Sequence, residues 1–180
     1  MINRFFSKGH FDPITASAEV FEKLPSVIAN ESFRRKMLDV ILSIGVPFNR
    51  WLGMKLIEFS LDRVVVKSPP TRLRENHVGT AHACALALLG EYPAGLLVAQ
   101  KYPLVTYRMI ISKLEVEYHK AGRGVVFGTA EAPIEWPEVK NGEAWVEMLT
   151  VMTGSVGEKI ADCRTRWQIK RWDKVRGANT

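Results

Sequence analysis

Asn76, His82 and Glu91 are the residues whose types and spacing could do chemistry in this chain. Between Val78 and Gln100, His82 and Glu91 are the only Asp, Glu, Lys, Arg or His residues. Everything around them is small or apolar. Burying a carboxylate unpaired in such company costs several kcal/mol, so it usually has a partner or a task. The bland readings are a satisfied core histidine at 82, a turn or capping residue at 76, and a helix-end acid at 91 that snorkels to water. His77 reads as an exposed loop residue. His77 and His82 lack the third nearby ligand that a metal site needs, so no metal is expected.

The element that must position these groups is an alanine-rich helix. It begins near Gly79 and is closed by Pro93 and Gly95. Small residues at Ala81, Ala83, Ala85 and Ala87 would let it approach a sheet closely. Upstream, Met54 to Ser60 and Arg63 to Ser68 read as strands joined at Leu61-Asp62, with Pro69-Pro70 as the stop. Downstream the period becomes two. Leu114, Val116 and Tyr118 alternate with Lys113, Glu115 and Glu117, a half-buried strand. Val125 to Ile134 and Ala144 to Met152 follow as strands. In the last strand Ala161, Cys163, Thr165, Trp167 and Ile169 face one way, and Asp162, Arg164, Arg166, Gln168 and Lys170 the other. Gly154-Ser155-Val156-Gly157 is a tight turn between antiparallel strands, not a nucleophile elbow. The pattern is α+β: about six antiparallel strands curling around one helix.

Residues 1 to 52 read as a helical extension and 53 to 175 as the main domain. Phe33, Met37, Leu38, Val40, Ile41 and Ile44 recur near helical spacing, and Gly45 with Pro47 stops that helix. A shorter helix is expected from Thr15 to Lys23. The chain has 180 residues, 47% apolar and 24% charged, which suits one globular domain with a real core. A net charge of +6 without a dense basic run favours a small anion over nucleic acid. Cys84 and Cys163 read as reduced core thiols. No signal peptide is evident, the polar groups of the central helix argue against a membrane span, and a cytoplasmic protein is the default.

The order strand-strand-helix-four strands is similar to the hotdog fold. The segment Asn76, His82-Ala83, Glu91 resembles the active-site helix of hotdog acyl-CoA thioesterases. There an amide precedes the helix, a His-Gly step opens it, and an acid follows two turns on. Asn76, His82 and Glu91 match these, while Ala83 stands where glycine is common and keeps the backbone N–H. Within that superfamily the chain is most similar to a subfamily labelled only as a domain of unknown function, the 4442 type.

The resemblance implies thioester hydrolysis, with coenzyme A as part of the substrate and no separate cofactor. The free N–H groups and dipole of a helix N-terminus suit a developing oxyanion, making Ala83 the oxyanion site. His82 would orient substrate or support that site. Asn76 would hold the carbonyl or the attacking water. Glu91 would be general base, or nucleophile through an anhydride. Residues 83 and 91 lie about 12 Å apart along a helix. One site using both therefore needs Glu91 from a second subunit, so a homodimer or dimer of dimers is expected. Candidates for the coenzyme A phosphates are His119, Lys120 and Arg123, then Arg72 with Arg74, then Arg164, Arg166 and Lys170. Met54, Phe127, Met148 and Met152 line an acyl tunnel or are plain core. Competing functions are a non-catalytic acyl-CoA-binding protein and a hotdog dehydratase acting on a 3-hydroxyacyl thioester.

Overall fold

The computed structural model describes residues 6–7, 10–11 and 31–175. Two short strands near the N-terminus, β1 (Phe6–Ser7) and β2 (His10–Phe11), pair antiparallel. This pairing replaces helix at the start of the extension, and the helix expected over 15–23 lies outside the described residues. α1 (Glu31–Gly45) and α2 (Pro47–Trp51) follow. Then come β3 (Lys55–Phe59), β4 (Arg63–Ser68), α3 (Ala83–Lys101), β5 (Tyr107–Tyr118), β6 (Val126–Glu131), β7 (Glu143–Gly154) and β8 (Lys159–Arg171).

The six strands β3 to β8 form one antiparallel sheet in the order β3-β4-β6-β7-β8-β5. α3 lies along its concave face and touches β4, β6, β7, β8 and β5. Strand period dictates what it meets. Ala161, Cys163, Thr165, Trp167 and Ile169 on β8 are buried under the helix, as their alternation predicted, and so are Val146, Met148 and Met152 on β7. Met54, Met148 and Met152 belong to this packed core.

α3 differs from expectation at both ends. It starts at Ala83, with His82 as its N-cap, and runs through Pro93 to Lys101. Proline is tolerated because the helix is buried and tertiary packing outweighs one missing bond. Pro93 has no N–H to give the Leu89 carbonyl. That oxygen lies against Gly128 of β6, where a Cβ would sit 2.7 Å away. The close approach expected at the alanines falls on glycines instead. A Cβ at Gly90 would meet the Cys163 Cβ at 2.3 Å, so helix and sheet touch there by the lack of a side chain. Ala85 is buried, but Ala83 is exposed.

α1 joins the same core through Leu38, which is fully buried, with Met37, Ile41 and Leu42 packed beside it. Phe33 and Val40, counted on its apolar face by spacing, are exposed. Asp39 Oδ1 accepts the Leu56 N–H at 2.8 Å, which ties α1 to the edge strand β3. At the other edge, β5 pairs only with β8 among the described residues. Its alternation is present but uncovered, since Ile110, Leu114 and Tyr118 are 45%, 41% and 46% exposed. Gly154 to Gly157 closes the β7–β8 hairpin, with Gly157 at φ 84° and its N–H on the Gly154 carbonyl.

α3 is long and apolar enough to span a bilayer by length and composition alone. Its apolar residues are instead buried against the sheet.

Candidate active site

The loop from Pro69 to His82 positions the start of α3, and two side chains fix that loop. The Arg74 guanidinium is buried; its Nη1 donates to the Ser68 carbonyl at 2.9 Å and to Ser68 Oγ at 3.1 Å, and its Nη2 to the Gly124 carbonyl. Burial lowers its pKa, with Glu75 opposing. The Arg74 carbonyl in turn accepts the His82 N–H at 2.7 Å. One residue thus links the end of β4, the β5–β6 turn and the helix entrance. Arg74 is committed to this clamp and is not open to a phosphate, contrary to the sequence expectation; Arg72 is exposed.

Asn76 fixes the rest. Its Oδ1 accepts the Val78 and Thr80 N–H groups, both at 3.1 Å, and its Nδ2 donates to Thr80 Oγ1 at 2.9 Å. This is the turn chemistry Asn provides best. One Nδ2–H remains for a ligand.

His82 is exposed and not a core histidine. Its Nδ1 accepts the Cys84 N–H at 3.1 Å, so the ring caps α3 and carries its neutral-form proton on Nε2. The Ala85 and Leu86 N–H groups go to the His82 carbonyl. Among the described residues, the Ala83 N–H has no acceptor. It is the free donor at the positive end of the helix dipole. Cys84 sits in the same first turn and is exposed, so only Cys163 is the core thiol that composition suggested; both are free.

An open cleft of about 320 Å³ lies at this helix end, lined by Asn76, Ala83, Leu86, Tyr118, His119 and Lys120. Chain-distant candidates therefore meet: the amide before the helix, the oxyanion donor, and two of the cationic residues at the end of β5. The Tyr118 hydroxyl donates to the Ala83 carbonyl at 2.9 Å and pins β5 to the helix start. Sequence reading missed Tyr118, whose only signal was its place at the end of an alternating strand.

His119 is less available to a phosphate than its type suggests. Its Nε2 meets Asp162 Oδ2 at 3.0 Å, and Glu117 lies 4.0 Å from Nδ1. Ligand atoms of these three residues lie within 4.8 Å of one another, and Lys159 already pairs with the same Asp162 oxygen. Burial pushes the Asp162 carboxyl up, but hydrogen bonds from Lys159 and His119 outweigh it and hold it below the usual range. Lys120 has no ion pair among the described residues and is the cleft's free cation. Arg123 is exposed and does not line the cleft. Arg164, Arg166 and Lys170 lie on the outer face of β8, where Arg166 stacks over Trp145 and Lys170 pairs with Glu143. That face is turned away from the helix start.

Glu91 stands two turns along α3, outside the cleft of its own chain. No hydrogen bond or ion pair engages its carboxylate among the described residues. Burial alone pushes its pKa up to about 7. Its Oε1 lies beside Gly95, whose empty side-chain position also faces the Trp167 ring. The nearby acidic side chains stay neutral: burial, then Glu91 itself, pushes the Cys163 thiol up to about 12, and burial raises the Tyr92 phenol, with Asn49 of α2 opposing. The arrangement supplies a donor for a developing anion at one place and a carboxylate ready to take a proton at another.

Comparison with known proteins agrees with this architecture. The family model described as "Domain of unknown function (DUF4442)" matches residues 34–169. A Pseudomonas aeruginosa protein of unknown function, described as a probable thioesterase, aligns with TM-score 0.69 and 20% identity over 76% of this chain and 95% of that one. A Staphylococcus aureus thioesterase aligns with TM-score 0.61 and 17% identity over 69% and 99%. A thioesterase from Haemophilus influenzae gives 0.65 and 13% over 76% and 90%. At these identities the likeness is one of fold, the hotdog. A search of curated protein sequences finds no match.

Proposed function

The chain belongs to the DUF4442 family of hotdog-fold proteins, and from that premise we propose that it hydrolyses acyl thioesters of coenzyme A or of a carrier protein. The observation that carries the reading is the free Ala83 N–H, which lines one cleft with Asn76 and Lys120. The thioester carbonyl oxygen sits against that N–H, and the helix dipole stabilises its negative charge as a nucleophile adds. The spare Asn76 Nδ2–H holds the carbonyl or the water. Lys120 attracts phosphate at the cleft rim, with exposed Arg72 and Arg123 as further contacts.

The carboxylate comes from Glu91 of a second copy, because eight residues of one helix separate 83 from 91, about 12 Å. As general base it takes a proton from water as the C–O bond forms and the thiolate leaves. As nucleophile it forms an anhydride that water then opens. A twofold assembly built on β5 would bring it there, and two features of β5 favour one: its outer edge is unpaired among the described residues, and its apolar side chains are exposed. A long apolar edge strand calls for a partner.

The test is thiol release from acyl-CoAs, short to long and aromatic, with wild type beside Glu91→Ala. Turnover lost in the variant supports the reading. Undiminished turnover in the variant removes Glu91 from the site. One observation favours a second reading, acyl-CoA binding without turnover: the Ala83 methyl lines the cleft and narrows the approach to the oxyanion donor. Binding of intact acyl-CoA with no thiol release by wild type would select it.

A further inference from the structure

The Glu91 side chain runs along its own helix toward Gly95, and two walls bound the space there. One wall is the helix backbone at Gly95, one turn on. A Cβ built at Gly95 would lie 3.3 Å from Glu91 Oε1, 3.1 Å from Trp167 Cη2 and 3.4 Å from Trp167 Cζ2. The other wall is the Trp167 ring itself. It is buried, and its Nε1 donates to Thr165 Oγ1 at 2.9 Å. The indole is therefore locked, while the far end of the glutamate is the mobile member. A methyl at position 95 meets the ring first, at 3.1 Å, and the carboxylate is the neighbour that can give way.

We propose that Gly95 and Trp167 are positioning residues for Glu91, forming an apolar slot that holds its carboxylate in the reactive place. The inference rests on the thioester-cleaving reading for its kinetic part and on geometry for the rest. The slot explains a glycine in the body of a buried helix, where alanine would be the better helix former. It is also consistent with a Glu91 pKa pushed up to about 7 by burial alone. The titratable groups around the slot are Cys163 of β8 and Tyr92 of α3, with Asp39 of α1 acting on Tyr92. Among the described residues none of these is a cation that would hold the acid down.

Gly95→Ala separates positioning from packing. Its melting temperature should stay within a few degrees of wild type, crowding at the ring offsetting the gain in helix propensity. Its kcat on the acyl-CoA panel should fall at least tenfold with KM little changed. The acid limb of its pH profile should move below about 7 as the carboxylate is pushed toward water. Trp167→Phe removes the atoms the methyl meets, so Gly95→Ala/Trp167→Phe should recover kcat to near that of Trp167→Phe alone. A 13C titration of the Glu91 side-chain carboxyl, assigned by its absence in Glu91→Gln, should show the same downward shift without any turnover. An unchanged titration in Gly95→Ala overturns the proposal, as does a lowered melting temperature with an unmoved pH limb. Full turnover by Glu91→Gln would sink the proposed reaction instead, leaving the titration as judge of the slot.

Discussion

A carboxylate lodged between apolar walls favours its proton. For Glu91 the folded-state pKa of about 7 lies above the ordinary 4.5. Between those values the folded chain binds the proton more tightly than the unfolded one. The resulting stability is fully present below about 4.5 and is lost as pH rises through about 7. The shift corresponds to at most about 3 kcal/mol, and the partial exposure of the side chain reduces that. Glu91→Gln should therefore flatten the fall in stability between pH 5 and 8, measured by urea unfolding at both. If the fall persists unchanged, another group causes it. Catalysis by the anion should rise over the same range, with kcat/KM climbing through about pH 7. Asn76 tests the other end. Asn76→Asp keeps an acceptor for the Val78 and Thr80 N–H groups but removes the spare amide donor. Its fold should survive while turnover drops about 10²-fold or more; equal turnover would make Asn76 a loop residue only.

At the scale of elements, two contacts decide where α3 sits. Gly90→Ala would force a methyl to 2.3 Å from the Cys163 Cβ, and no rotamer relieves it because both atoms are fixed to backbone. The substitution should cost about 2–4 kcal/mol by denaturation, despite the gain of about 1 kcal/mol in helix propensity. A stabilised variant would mean that helix and sheet separate easily. Arg74→Met strands the Ser68 and Gly124 carbonyls and frees the loop that delivers Asn76 and His82. It should cost about 2–4 kcal/mol as a broken buried network. Much of this scaffold is legible from pattern. The strands announce themselves by period two, and Lys159–Arg171 buries the face its alternation names. The helix ends are not legible, because Pro93 and Gly95 carry stop signals that burial against five strands overrides. Residues on spacing alone also misassign Phe33 and Val40, since a helix periodicity does not say which neighbours arrive.

At the scale of the whole molecule, the free edge of β5 is the open question that assembly answers. Leu114→Lys places a charge on an exposed apolar position and should leave the monomer's stability nearly unchanged. If Glu91 serves a partner's cleft, the variant should sediment as a monomer and lose turnover together. A monomer with full activity would refute the two-chain site. Wild-type activity should likewise fall on dilution below the dimer's dissociation constant.

By itself the sequence determined the succession of strands along the chain, the apolar helix between them and the lone acid within it, because periodicity and burial cost are local properties of residue type. It also carried Asn76, His82 and Glu91 at a spacing similar to a thioesterase helix. What only the tertiary structure decided was which groups meet. Lys120 and Tyr118 come to the Ala83 N–H because β5 crosses to the far edge of the sheet and ends beside the helix start. Arg74 became a buried clamp, although it read as a free cation in the sequence. Trp167 and Gly95 became the walls of Glu91 for the same reason: contact between residues far apart in the chain is a property of packing, and no spacing along the sequence encodes it.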